Sequence, residues 1–304
     1  MNILVIRLSA LGDVIQSFLP FAAIRVHHAD ARITLLTTAP FAGLLSRAPW
    51  FDDVLTDERP RWWDLPGLGK LRRQLQGYDF VYDLQTSARS SRYFVLAGQP
   101  PWSGIAPGCS HPHANPRRDF MHTRERQREQ LEMAGIAGFF APDLSWLIGQ
   151  GQTFAIPDEA VLVVPGAAPS RPRKRWPAEY YAALAVRLAE QGRAPVLIGG
   201  AAEAEIAATI RAACPEAIDL TGKTTLPDIA ALATRAKFAI GNDTGPMHLI
   251  AAMGCPATVL FSADSDPDLT APRGPDGEWP TVLRAADLAD LPVDRVAATL
   301  PIAK

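Results

Sequence analysis

Short, continuous apolar runs that alternate with helical stretches leave this chain few ways to fold. Strands without a polar face are buried on both sides, which is the situation of parallel strands whose crossover helices cover the sheet. The first half carries such runs at residues 3–6, 33–36 and 80–84, and the second at 161–164, 195–198, 237–240 and 257–261. Helices are expected between the later runs, over 178–190, 203–213, 226–235 and 247–253. A stretch rich in Gly, Pro and Gln at 148–158 interrupts the pattern, so the chain is expected to divide into domains 1–155 and 156–304. The segment 262–280, rich in Asp, Pro and Gly, reads as a surface loop. The helical stretch after it, about 291–300, is the piece able to cross back onto the first domain. Each half is therefore expected to be an α/β, doubly wound parallel sheet, with ligands at the carboxyl ends of the strands in a cleft that the halves share.

Composition narrows the class further. The 304 residues, 48% hydrophobic and 20% charged, are those of an ordinary globular protein of about two domains. The three cysteines, Cys109, Cys214 and Cys255, are odd in number and lack paired spacing. They argue against a disulfide framework or a structural zinc site and point to a reducing compartment. No apolar run reaches the roughly 18 residues of a membrane span. The opening MNILVIRLSALGDV lacks a basic leader and enters a strand-like run at once, unlike a signal peptide. A formal net charge of −2 gives no overall attraction to nucleic acid, yet three stretches, 59–73, 117–128 and 171–175, hold 14 of the 30 lysines and arginines.

Several chemical motifs fail when their spacing is counted. Thr221-Gly222-Lys223-Thr224-Thr225 resembles the end of a phosphate-binding loop, but the glycine required five residues before Gly222 is Ala217, so a strand-to-helix turn is expected. The first strand is followed by one glycine, Gly12, where a dinucleotide fingerprint needs three. Asp264, Asp266 and Asp268 begin like a calcium loop that Pro267 interrupts and Pro275 ends. Asp264-Ser265-Asp266 is also an Asp-x-Asp, read here as part of a solvated acidic loop. Cys109, His111 and His113 have ligand-like spacing without a fourth ligand nearby, so they read as a polar loop and no metal site is expected.

Three constellations remain. Asp13 follows Gly12 where the first helix opens; it is either a first-turn carboxylate stabilised by free N–H groups or a carboxylate presented at the edge of the first strand. Gly241-Asn242-Asp243-Thr244-Gly245-Pro246-Met247-His248 crowds small and polar groups into the turn after the strand at 237–240. Its Thr-Gly pair would offer backbone N–H groups to a phosphate, with Pro246 suited to the helix start. Pro165-Gly166-Ala167, then Arg171, Arg173, Lys174, Arg175, Trp176 and Pro177, place dense positive charge before a helix, which is unfavourable for that helix unless an anion is bound. The last two together describe a diphosphate site, with a solvated basic loop as the plain alternative.

Leu8-Ser9-Ala10-Leu11-Gly12-Asp13, Lys174-Arg175-Trp176-Pro177 and Asn242-Asp243-Thr244-Gly245-Pro246-Met247-His248 resemble, in order and spacing, the glycosyltransferase family 9 proteins, the ADP-heptose:lipopolysaccharide heptosyltransferases. The resemblance implies a GT-B fold of two Rossmann-like domains, the first binding acceptor and the second the nucleotide sugar. It implies inverting, metal-independent transfer of a heptose from ADP-heptose to an inner-core lipopolysaccharide sugar, with no cofactor beyond that donor. By the same resemblance Asp13 is the general base, Lys174 binds the diphosphate, Asp243 holds the donor sugar, and Thr244 and Gly245 bind phosphate, with His248 close by. Glu203 falls where a ribose-binding glutamate stands, Thr224 and Thr225 where a loop lines the adenine pocket, Ser9 or Ala10 where the diphosphate is flanked, and Gly12 among the donor-binding residues. Family members often carry Lys where this chain has Arg7. Acceptors in the family are acidic and anchored in a membrane, so Arg59, Arg61, His122 and Arg124 are expected to bind the lipid-linked saccharide or the inner-membrane surface from the cytoplasmic side. No nucleic-acid partner is expected. A transferase using another nucleotide sugar for a different envelope glycan, or a sugar-nucleotide binder without catalysis, is the alternative.

Overall fold

The computed structural model describes residues 1–149, 151–152, 154–167 and 171–301. The chain folds as two compact units, Met1–Pro142 and Asp143–Lys304. The first contains β1 (Asn2–Ile6), β2 (Arg32–Thr37), β3 (Asp53–Thr56), β4 (Phe80–Asp83), β5 (Trp102–Gly104) and β6 (His111–Pro112), with helices α1 (Leu11–Gln16), α2 (Phe18–His27), α3 (Ala39–Leu45), α4 (Leu65–Leu75), α5 (Ala88–Leu96) and α6 (Thr123–Met133). The second contains β7 (Ala160–Val164), β8 (Ala194–Leu197), β9 (Ile218–Asp219), β10 (Phe238–Asn242), β11 (Ala257–Phe261) and β12 (Thr281–Arg284). Its helices are α7 (Ser145–Ile148), α8 (Ala178–Glu190), α9 (Ala204–Ala213), α10 (Leu226–Ala233), α11 (Gly245–Ala252), α12 (Pro267–Thr270) and α13 (Val293–Ala297).

Each unit builds one parallel sheet of six strands, ordered β3-β2-β1-β4-β5-β6 in the first and β12-β11-β10-β7-β8-β9 in the second. Both orders are those of a doubly wound fold, and the direction of winding reverses between β1 and β4 and between β7 and β10. At such a reversal the loops after the two central strands diverge to opposite faces and leave a crevice at the carboxyl edge. The central strands are the ones whose apolar runs are continuous: Ile3 to Ile6 and Val161 to Val163 have no exposed surface. The strands at the sheet margins, β3, β6, β9 and β12, lack such runs because one side of an edge strand meets solvent or a loop. They escape the sequence pattern for that reason, as does the short β5.

Three expectations are corrected. The first unit ends at Pro142, before the Gly- and Pro-rich stretch, because α7 already packs on α10 of the second unit. The last helix packs within the second unit: α13 lies on α8, and Val296 and Leu300 belong to the core that holds Trp176, Tyr181 and Leu188. Trp176 secures this arrangement by donating its indole N–H to the Leu291 carbonyl at 2.8 Å. The segment 262–280 also carries more structure than a solvated loop, since it contains α12 and the buried Pro267 and Ala271.

Gly241, inside β10, is required by space. A Cβ there would lie 2.7 Å from the Cβ and the carbonyl oxygen of Val164 and from the Met247 sulfur. Gly241→Ala is therefore expected to lower stability by about 1–3 kcal/mol, read from the denaturant midpoint; an unchanged midpoint would show that the two strands separate freely.

Candidate active site

In the first unit the candidate residues gather where β1 ends. Arg7 is buried and donates from Nη1 to the Leu84 carbonyl at 2.5 Å, while its Nη2 stands 3.1 Å from Asp13 Oδ1. The other Asp13 oxygen accepts the Ala10 N–H at 3.0 Å, so Asp13 both closes the first turn of α1 and keeps part of its carboxylate in solvent. Burial pulls the Arg7 guanidinium below its ordinary range, and Arg126 adds to this, while Asp13 and Asp83 oppose it. Asp83 has no exposed surface, and burial pushes its carboxyl up to about 6 although the Gln85 and Thr86 N–H groups donate to it. Gln85 Oε1 in turn accepts the N–H groups of Leu8 and Ser9 at 2.8 and 3.2 Å, which ties the β1 loop to the strand across the winding reversal. From α6, Gln127 donates to Ser17 Oγ, which donates to the Asp13 carbonyl, both at 2.8 Å.

The expected acceptor residues are spread over this same edge. Arg59 donates to Ser9 Oγ at 2.8 Å. Its backbone has φ +52° and its N–H is held by Asp57, a buried carboxylate that also accepts the Tyr93 hydroxyl. Arg61 lies over the Trp63 ring at 5.2 Å. His122 is buried: its Nδ1 accepts the Arg124 N–H at the start of α6 and stands 2.8 Å from Glu125. It thus serves the helix start beside Arg124, with its ring enclosed.

In the second unit one cluster dominates. Lys174 Nζ is bonded to Asp243 Oδ2, and both side chains are less than a tenth exposed. Ser265 Oγ donates to the same oxygen at 2.8 Å, and His248 Nε2 stands 3.8 Å from the other. Burial works against the charge on Asp243, but His248 and Lys174 outweigh it and hold the carboxyl down at about 2. Thr244 and Gly245 follow at once, opening α11 with extended backbone at Thr244 and no side-chain cap. Asn242 fixes the surroundings. Its Oδ1 accepts the Trp176 N–H and the Tyr181 hydroxyl at 3.1 and 3.0 Å, and its Nδ2 donates to the Pro165 carbonyl at 2.7 Å.

The remaining expected donor residues divide by role. Glu203 accepts the Gly200 N–H at 2.8 Å and lies against Gly166 and Gly199, where added Cβ atoms would meet it at 3.0 and 2.9 Å. It therefore stands beside the loops that leave β7 and β8. Thr225 caps α10 reciprocally with Asp228, so its hydroxyl is occupied, whereas Thr224 Oγ1 is buried without a partner among the described residues. The Thr221 to Thr225 segment is the strand-to-helix turn expected of it. Among the described residues no group of three or more His, Cys, Asp or Glu could hold a metal ion.

Residues 68–279 match Glycosyltransferase family 9 (heptosyltransferase). The chain belongs to glycosyltransferase family 9. This family 9 protein is 28% identical over 301 residues to lipopolysaccharide heptosyltransferase 2 of Escherichia coli, a match spanning 90% of the chain and 85% of the relative. It superposes on the structure of the E. coli ADP-heptose lps heptosyltransferase II with a TM-score of 0.73 at 25% identity, covering 98% and 97% of the two chains. On E. coli heptosyltransferase WaaC with ADP the TM-score is 0.76 at 23% identity, with 98% of each chain covered. The family 9 protein is thus a glycosyl-transferring enzyme with the GT-B architecture that its motifs implied.

Sequence reasoning alone passed over four residues of this enzyme's two clusters. Ser265 sits in the Asp-rich segment that reads as a solvated loop, and Arg7 stands out only as a departure from lysine. Gln85 and Tyr181 carry no local signal, because their partners lie 77 and 61 positions away. Lys174→Met would leave Asp243 charged in a site that disfavours charge, and is expected to cost about 3 kcal/mol at pH 7, measured by chemical denaturation. Because folding depresses the Asp243 pKa, its contribution is complete above the ordinary carboxylate range and is lost as pH falls toward about 2. Asp243→Asn should flatten that part of the acid-unfolding curve, and an unaltered slope would contradict the assignment.

Proposed function

We propose that this enzyme moves a heptose from ADP-heptose to an inner-core lipopolysaccharide sugar, with inversion and without a metal. The carrying observation is the buried Lys174 beside Asp243, immediately before the opening of α11 at Thr244 and Gly245. A fixed cation and helix-start amides that no side chain caps supply the positive environment that a departing diphosphate needs. The names of the relatives, lipopolysaccharide and ADP-heptose heptosyltransferases, support the choice of sugar, nucleotide and acceptor class.

In this reading the acceptor hydroxyl oxygen attacks the anomeric carbon as the bond from that carbon to the diphosphate oxygen breaks. The hydroxyl proton passes to Asp13, and ADP leaves with the electron pair, stabilised by Lys174, neighbouring arginines and the Thr244 and Gly245 amides. Asp243 holds sugar hydroxyls, with His248 beside it. Glu203 takes the ribose, and Thr224 and Thr225 border the adenine. Ser9 and Gly12 lie next to the base. Arg59, Arg61 and Arg124 bind the acidic groups of the acceptor, and His122 acts through the helix start that it shapes. The acceptor is lipid-linked, so the enzyme works in the cytoplasm at the inner-membrane surface; no helix among the described residues is long and apolar enough to cross a membrane.

Asp13→Ala is expected to abolish turnover, by at least about a hundredfold, while ADP-heptose still raises the Tm of the variant. Retained turnover would remove Asp13 from the role of base. A thermal-shift comparison of ADP-, UDP- and GDP-sugars tests the donor, and stabilisation by UDP-sugars alone would overturn ADP-heptose. Arg61→Ala and Arg124→Ala should each raise the acceptor KM by about tenfold with little change in the donor KM. Equal changes in both would argue against the acceptor assignment.

A further inference from the structure

We infer that the first unit docks on an anionic lipid bilayer through two aromatic-tipped loops at opposite ends of its carboxyl edge. This rests on the reading that the acceptor is lipid-linked, and it names the surface that meets the lipid.

The first loop follows β3. Trp62, Trp63 and Leu65 are 78%, 57% and 74% exposed, and the two indoles meet edge to face at 5.3 Å. A pair of tryptophans ordered against each other yet turned to solvent is costly in water and well suited to a headgroup layer, where an indole places its apolar body among acyl chains and its N–H among polar groups. The second loop follows β6 and carries Phe120, 79% exposed, on the turn Arg118–Phe120 before α6.

The carboxylates of Glu58, Asp64 and Asp119 reach solvent around these tips, but each is engaged by a neighbouring group. In the first loop Asp57 is buried on Tyr93, Glu58 is paired with Lys70, and Asp64 caps α4. In the second, Asp119 is paired with Arg118. The guanidinium groups of Arg61 and Arg117 have no carboxylate partner among the described residues. Cations beside interfacial aromatics complement anionic headgroups, each contributing on the order of 1 kcal/mol near such a surface.

Topology separates the loops. β3 and β6 are the two margins of the sheet, five strand spacings apart, or about 24 Å. The loop after β1, with Asp13, rises from the same edge between them. Two small separated tips do not make the continuous apolar face that a protein partner would need, whereas a planar bilayer meets both at once. Contact at both margins would hold the edge that carries Asp13 level with the headgroups of a lipid-linked acceptor.

The test is co-sedimentation of the full chain with phosphatidylcholine vesicles, with and without phosphatidylglycerol. The chain should bind the anionic vesicles, and the triple variant Trp62→Ser, Trp63→Ser, Phe120→Ser should bind at least about tenfold more weakly. The variant should keep the donor-induced rise in Tm and its turnover of a delipidated, soluble acceptor, while losing turnover of vesicle-embedded acceptor. Equal binding by the variant, or equal binding to neutral and anionic vesicles, would overturn the docking surface. Vesicle binding that depends on these aromatics in a protein that transfers no heptose would leave the docking surface standing and remove the proposed reaction instead.

Discussion

The candidate site in each unit depends on one amide side chain that spans the reversal of the winding. Gln85, just past β4, receives the N–H groups of Leu8 and Ser9, and Asn242, at the end of β10, holds Pro165, Trp176 and Tyr181. A loop leaving a central strand has no ladder partner for its backbone, and an unpaired buried N–H or carbonyl is costly. The amide supplies the missing partner and fixes the loop's course. Arg7 and Asp13 in one unit, and Lys174 and Asp243 in the other, are placed by loops secured in this way.

Charge follows from this placement. Lys174 and Asp243 are buried together, and neither would tolerate that burial alone. Ser265 and His248 complete the surroundings of the carboxylate from two other segments, α11 and the loop after β11. In the first unit the same logic is reversed. Arg7 is buried, and its guanidinium serves the half-buried Asp13 from within, so the carboxylate gains a fixed counter-charge while keeping part of its surface in solvent.

The sequence made the interior strands legible because burial on both faces demands unbroken apolar runs, and α8 was legible to the residue. Edge strands such as β9, only Ile218 and Asp219, leave no periodic trace. Motif clusters placed Asp13, Lys174 and Asp243 on the page before any coordinates did, because each lies where a strand gives way to a helix. What they could not disclose was pairing across distance. Lys174 and Asp243 are 69 positions apart, and only the reversal of the winding order brings the two loops together. A longer separation, 115 positions, hid the attachment of Trp176 to Leu291, which ties the final helix to the core of the second unit.

Asn242 and Asp243 differ by one nitrogen, yet their order cannot be exchanged. The Nδ2 group of Asn242 is spent on the Pro165 carbonyl, and a carboxylate there would bring two acceptors face to face at a buried position. An amide at 243 would leave Lys174 without its anion. Adjacent positions therefore impose opposite demands, one for a neutral group with both a donor and an acceptor, the other for a full negative charge. Drift in this dipeptide has to pass through an intermediate that fails at one of the two, so the pair is expected to change together or not at all.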